Sequence, residues 1–226
     1  MGILKHSSLE EQYNQARRAC ALLQPDLDCS LSEDGVVLEG TFHVPSTDPQ
    51  HAALGPIASF EIRLELYPGR PHSEPKLFET AGAFPHDPDH HVNPDGSCCF
   101  GVWEVLLAEQ PQMTVADLLD GPIRSYFYGH HHLKCEGSWP FGELKHGVAG
   151  LIQSYARFLG CAEDPLIVKS LIVLLSRKWK RDRHRCPCGS GSRLRDCCRV
   201  HLDAVPTKVH YKKIRPLLAR LKVYHE

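Results

Sequence analysis

The chain has 226 residues, 42% of them hydrophobic, with a formal net charge of −1, enough to bury one full core and a small appendage in a globular protein. Its longest apolar stretch, Leu166 to Leu175, is interrupted by Lys169 and falls short of the roughly 20 residues that a spanning helix needs. Together with a polar start over Met1 to Gln12, which does not read as a signal peptide, this leads us to expect a cytoplasmic protein with no membrane contact. The neutral total hides a division: residues 176–226 hold 15 Lys+Arg against 4 Asp+Glu, a net of +11, and residues 1–175 hold 11 against 23, a net of −12. Such asymmetry fits a basic tail drawn to nucleic acid, a tail drawn to an acidic surface, or two solvated faces of opposite sign.

In chain order, Ser8 can cap a helix whose apolar positions Leu9, Tyr13, Ala16, Cys20 and Leu23 recur at helical spacing, with Pro25 stopping it. Two strands follow, in which Val36, Leu38, Phe42 and Val44, then Phe60, Ile62, Leu64 and Leu66, alternate with polar or small residues. Pro45 to Pro56 reads as the loop between them. A proline break and a short strand, Pro75 to Thr80, lead into the loop His91-Val92-Asn93-Pro94-Asp95-Gly96-Ser97-Cys98-Cys99-Phe100. Thr114 then caps a helix that passes Gly121-Pro122 and reaches Tyr126. One helix, a strand meander, a cysteine loop and later helices make an α+β domain.

A cysteine three residues past a glycine turn, behind a histidine pair, reads as a presented nucleophile. Alternation along the segment turns Cys98 away from Cys99 and makes it a small buried hydrophobe. Beyond the next helix, His130, His131 and His132 are consecutive, and consecutive side chains do not converge on one ion in a regular element, so they are expected in solvent. In the run Trp139-Pro140-Phe141-Gly142-Glu143, followed by His146-Gly147, Trp139 either covers the cysteine loop or plugs a core, and His146 either faces the loop or caps a helix. Asp164-Pro165 starts a helix from about Leu166 to Lys180.

Ten cysteines in a chain of this composition point to metal binding and catalysis rather than disulfides. Cys186, Cys188, Cys197 and Cys198 follow the pattern Cys-x-Cys, eight residues, Cys-Cys around a Gly-Ser-Gly turn, and four thiolates suit a closed structural zinc site. His201 is a competing fourth ligand.

The order of strand, Tyr67-Pro68, Pro75-Lys76, Phe78-Glu79-Thr80, His91, Gly96 and Cys99 resembles the ubiquitin-conjugating enzymes over roughly residues 9–130. The shortened loop, behind a histidine, is similar to that of the divergent bacterial branch. The resemblance implies the UBC fold, with a catalytic domain over 1–162. It also implies a thioester on Cys99, received from an adenylating activating enzyme and passed to an amine on a protein target. The acyl donor would be a ubiquitin-like protein or a nucleotide-second-messenger synthase, and the setting bacterial anti-phage defence. The Asn that assists in that family has no clear counterpart; Asn93 fits by type, and His90 or His91 can substitute. The Asp that often follows the cysteine is replaced by Gly101. The four-cysteine pattern looks like the SEC-C zinc motif, placed at 183–202, with a tethering helix over 163–182 and a basic tail over 203–226. The other class of function is a non-catalytic adaptor that binds protein or nucleic acid through the zinc module and tail.

Overall fold

The computed structural model describes residues 8–46, 54–67, 74–140, 145–175 and 184–204. Pro68, Phe141 to Glu143, the end of the tethering helix from residue 176 and the basic tail from residue 205 lie outside the described residues. The architecture is α+β, divided into two compact units: one within Met1–Gly101 and Gln112–Glu143, the other within Val102–Pro111 and Leu144–Glu226.

The first unit opens with α1 (Leu9–Leu23), where the Ser8 hydroxyl accepts the Glu11 N–H at 3.2 Å and Glu10 and Glu11 sit at the positive end of the helix dipole. Strands β1 (Leu27–Leu31), β2 (Val36–Val44), β3 (Ala58–Leu66) and β4 (Lys76–Glu79) form one antiparallel meander in sequence order. The alternation read from sequence sets its faces: Phe42, Val44, Ile62, Leu64 and Leu66 are buried, while Glu61, Arg63 and Glu65 point to the other side. β1 was not apparent in the sequence, and its burial explains why: Leu27 is its one fully buried residue. Where β1 runs out, the buried side chain of Gln24 acts as the next strand. It accepts the His43 N–H at 2.7 Å and donates to the His43 carbonyl at 2.9 Å. Gly40 (φ +134°) makes that corner possible, since a Cβ there would lie 2.3 Å from the Asp26 carbonyl oxygen.

A reciprocal capping box between Thr114 and Asp117 starts α3 (Val115–Leu118). One wide π-turn over Leu119–Ile123 absorbs Pro122, and α4 (Arg124–Glu136) continues to a left-handed Gly137. Phe127 on α4 is fully buried and stacks on Phe60 at 4.7 Å and against Phe42 at 5.3 Å, closing the core over the sheet.

The second unit consists of α2 (Trp103–Glu109), α5 (Gly147–Leu159), α6 (Pro165–Leu175) and α7 (Arg199–Ala204). Asp164 caps α6 as expected, its Oδ1 accepting from Leu166 N–H at 2.7 Å and Ile167 N–H at 3.0 Å. Ile152, Tyr155, Ala156 and Leu159 form a helical stripe on α5 that packs with Val168, Leu171 and Ile172 of α6. Cys186, Leu194, Cys198 and Leu202 are buried in the same core, so the four-cysteine segment is built into this unit rather than hung from it. Helices α2 and α5 lie inside the range 1–162 that the resemblance implies for a catalytic domain, and they pack in the second unit. Among the described residues, no helix is long and apolar enough to cross a membrane.

Candidate functional site

The cysteine loop is a narrow antiparallel fold-back beside β4. Cys98 N–H donates to the Leu77 carbonyl and Cys99 N–H to the His91 carbonyl, both at 2.7 Å. Val92 bridges Cys98 and Phe78 bridges Ser97. Asn93 N–H donates to the Ser97 carbonyl at 2.8 Å, and left-handed Gly96 (φ +80°) turns the tip. Asp95 ties the tip to the sheet: it accepts from the Ser97 hydroxyl at 2.5 Å, from the Ser97 amide at 3.1 Å and from the Lys76 ammonium. Lys76 first, then Ser97, holds the Asp95 carboxyl down at about 2.

Each expected site residue has a definite place. Cys99 is exposed and Cys98 buried, the alternation that the sequence predicts. The Asn93 amide donates to the Ser97 hydroxyl at 3.1 Å and so serves the tip. His90 ends a 3-10 turn (Pro88–His90), its ring Nδ1 paired with Asp87 at 2.7 Å. His91 adopts a left-handed backbone (φ +52°), and its carbonyl is the acceptor for Cys99. Crowding of the sulfur by loop atoms raises the Cys99 thiol above its ordinary value despite the exposed residue; the Gly101 amide opposes the rise and Glu74 adds to it. Burial pushes the Cys98 thiol up to about 11.

The surroundings of the loop were only partly legible. Trp139 is half-buried and covers the loop: its ring meets His91 edge-on at 4.9 Å and His130 at 5.1 Å. His146 lies in the second unit, at the N-cap position of α5, without a side-chain cap bond. The expectation that His130 to His132 are solvated is corrected at His130, which is 4% exposed and stacked on Phe84 at 3.7 Å. Burial, with His90 and His91 nearby, lowers its imidazole to about 4 and keeps it neutral. Three consecutive histidines on a helix face three directions, and only His130 points into the Phe84–Tyr126–Trp139 cluster. Tyr126, which sequence reasoning used only as a helix position, places its hydroxyl 3.4 Å from the carbonyls of both His90 and His91.

In the second unit, the sulfur atoms of Cys186, Cys188, Cys197 and Cys198 lie within 4.8 Å of one another. Two short arms bring them together, with Cys186 N–H donating to Ser192 at 2.8 Å, Leu194 N–H to His184 at 3.0 Å, and left-handed Gly189 and Gly191 forming the bend. Cys188 and Cys197 are 3.4 Å apart, Cys197 and Cys198 3.8 Å. Burial opposes ionisation of Cys188, but Ser190, Cys186 and Cys197 donate to it and bring it to about 6; burial and the neighbouring thiols raise Cys198. Four such sulfurs could hold a metal ion. His201 is not one of the clustered donors, and its ring packs edge-on against Phe158 at 5.7 Å.

No protein-family model, curated protein or solved structure matches the chain.

Proposed function

We propose that the chain is an acyl carrier of the ubiquitin-conjugating type. Cys99 takes a protein C-terminus as a thioester and passes it to an amine, on a UBC-like first unit, while structural zinc at Cys186, Cys188, Cys197 and Cys198 holds the second unit. The observation that carries the first half is the contrast within one dipeptide: Cys99 is open to solvent at the end of a loop fixed from both sides, and Cys98 beside it is buried. In the step itself, the Cys99 thiolate attacks the carbonyl carbon of the donor thioester. The Cys99–carbon bond forms, the donor carbon–sulfur bond breaks, and the departing thiolate takes a proton. A raised thiol is a poor spontaneous alkylation target, yet its thiolate is the stronger nucleophile and the poorer leaving group. That suits a carrier which must keep its cargo until an amine is delivered. Among the loop groups, the carbonyl of His91 is engaged with Cys99 N–H and the amide of Asn93 with Ser97. Replacing His91, His90 and Asn93 one at a time tests which of the three expected helpers donates to the oxyanion.

The zinc half rests on the donor set. Four thiolates at the usual zinc–sulfur distance stand about 3.8 Å apart at the corners of a tetrahedron, and the separations of 3.4 and 3.8 Å, in a cluster whose sulfurs all lie within 4.8 Å, are near that figure. When bound, the metal supplies a closed structural cross-link with no position for substrate.

A peptide α-thioester tests the carrier reading without any partner enzyme. The expected result is a reductant-sensitive adduct, located by mass spectrometry on Cys99, present in Cys98→Ala and absent in Cys99→Ala. An adduct that persists in Cys99→Ala sinks the assignment. A second reading, a metal-stapled binding adaptor, draws its support from the four-sulfur cluster alone, and it gains if no thioester forms on the zinc-loaded chain.

A further inference from the structure

We infer that Tyr126 is a positioning residue, a latch by which α4 holds the backbone of the Cys99 loop, and that the His130 ring packed against it keeps it in place. The two are four residues apart on one face of the helix, and Tyr126 reaches the dipeptide that precedes the loop. The Tyr126 hydroxyl lies 3.4 Å from the His90 and His91 carbonyls and also meets the Cys98 thiol. The His130 ring packs against the Tyr126 ring at 4.6 Å and lies 6.4 Å from the His90 ring. Phe84 stacks on it at 3.7 Å and Trp139 meets it at 5.1 Å.

The chain of contacts then runs in one direction. His90 and His91 are fixed by α4; the His91 carbonyl accepts the Cys99 N–H at 2.7 Å; and the position of the Cys99 backbone sets where its sulfur stands. Left-handed His91 (φ +52°) is an uncommon conformation for a residue with a side chain, and the latch supplies the contacts that hold it there. Its importance for acyl transfer rests on the Cys99 reading above, whereas its existence does not.

The test uses the full-length, zinc-loaded protein and three variants. Tyr126→Phe removes one oxygen. His130→Phe keeps an aromatic ring against Phe84 and Tyr126. His130→Ala removes that ring. Exchange of the Cys99 amide is followed by NMR, with the Leu64 amide in the sheet centre as internal reference, and Cys99 alkylation by iodoacetamide is followed by mass spectrometry. Tyr126→Phe and His130→Ala should speed Cys99 amide exchange tenfold or more at unchanged Leu64 exchange and alter the alkylation rate severalfold, and His130→Phe should stay near the wild-type values. Wild-type exchange in Tyr126→Phe, or His130→Ala no faster than His130→Phe, overturns the latch. If His130→Ala does not fold, Tyr126→Phe decides: wild-type exchange there overturns it equally. Peptide-thioester loading is measured alongside. A wild-type chain that fails to load while the exchange shifts appear loses the carrier reading and keeps the latch; loading with no exchange shifts gives the reverse.

Discussion

His130 concentrates what a single side chain contributes here. Its imidazole stays neutral down to about 4 because burial disfavours the charged ring and His90 and His91 lie nearby. In the unfolded chain a histidine takes its proton near 6.5. Above that value both states are neutral and His130 makes no pH-dependent contribution. As pH falls from 6.5 to 4 the unfolded chain gains a proton that the folded chain refuses, so stability declines across that window, by at most about 3 kcal/mol. The low carboxyl of Asp95 acts elsewhere, losing its contribution only below the ordinary carboxylate value of 3.8. Urea unfolding at pH 7 and pH 4.5 should therefore show a larger loss in wild type than in His130→Phe; equal losses refute the assignment. At this scale the sequence was legible where chemistry is local. Alternation separated buried Cys98 from exposed Cys99. The burial of His130 was not legible, because it depends on Phe84 and Trp139, which the chain brings in from elsewhere, and three adjacent histidines look polar.

Helices and strands carry the second lesson. Capping and periodicity located α1, β2, β3, α3 and the start of α6 because each has a strong local signal: Ser8, two-residue alternation, the Thr114 box and Asp164. Strand β1 and helix α2 lacked one. The first buries little beyond Leu27, and the second has Val102 at its N-cap position with no side-chain cap; both are held by tertiary packing. Gly129 on α4 shows how an element can be shaped for its neighbour, since a Cβ there would stand 2.8 Å from Cζ3 of Trp139 and 3.1 Å from Cε3. Gly129→Ala should gain about 1 kcal/mol of helix propensity but lose about 1–3 kcal/mol to overpacking. The expected outcome is a modestly lower urea midpoint, with Trp139 displaced from His91 and seen as a changed ring-current shift on the His91 ring protons. A higher midpoint with unshifted His91 protons would mean that Trp139 does not rest on this helix.

For the molecule as a whole, the spacing of four cysteines announced a cluster that could hold a metal ion, but not that its scaffold belongs to a larger core. Cys186, Leu194, Cys198 and Leu202 are buried with α5 and α6, contacts that no local pattern specifies. This changes where the chain can be cut. Ending it before residue 183 strips those four residues from the core of the second unit, while ending it after residue 204 removes only a segment of 6 Lys+Arg against 1 Asp+Glu. The shorter deletion should keep about one zinc per chain and the exchange protection of α6, because all four sulfurs precede residue 204. It should also weaken any salt-sensitive binding to nucleic acid or acidic protein, since its net charge of +5 is lost. If the four sulfurs hold zinc as proposed, chelating it from the intact chain removes a cross-link whose binding free energy, roughly 10–16 kcal/mol in small zinc domains, is also folding free energy. Protection should then fall in α6 and α7, while the β2–β3 ladder, whose core of Phe42, Ile62, Leu64 and Phe127 contains no metal ligand, keeps its own. Purified chain without bound metal, or chelated chain whose α6 amides exchange as slowly as before, would show that these four sulfurs are packing residues and nothing more.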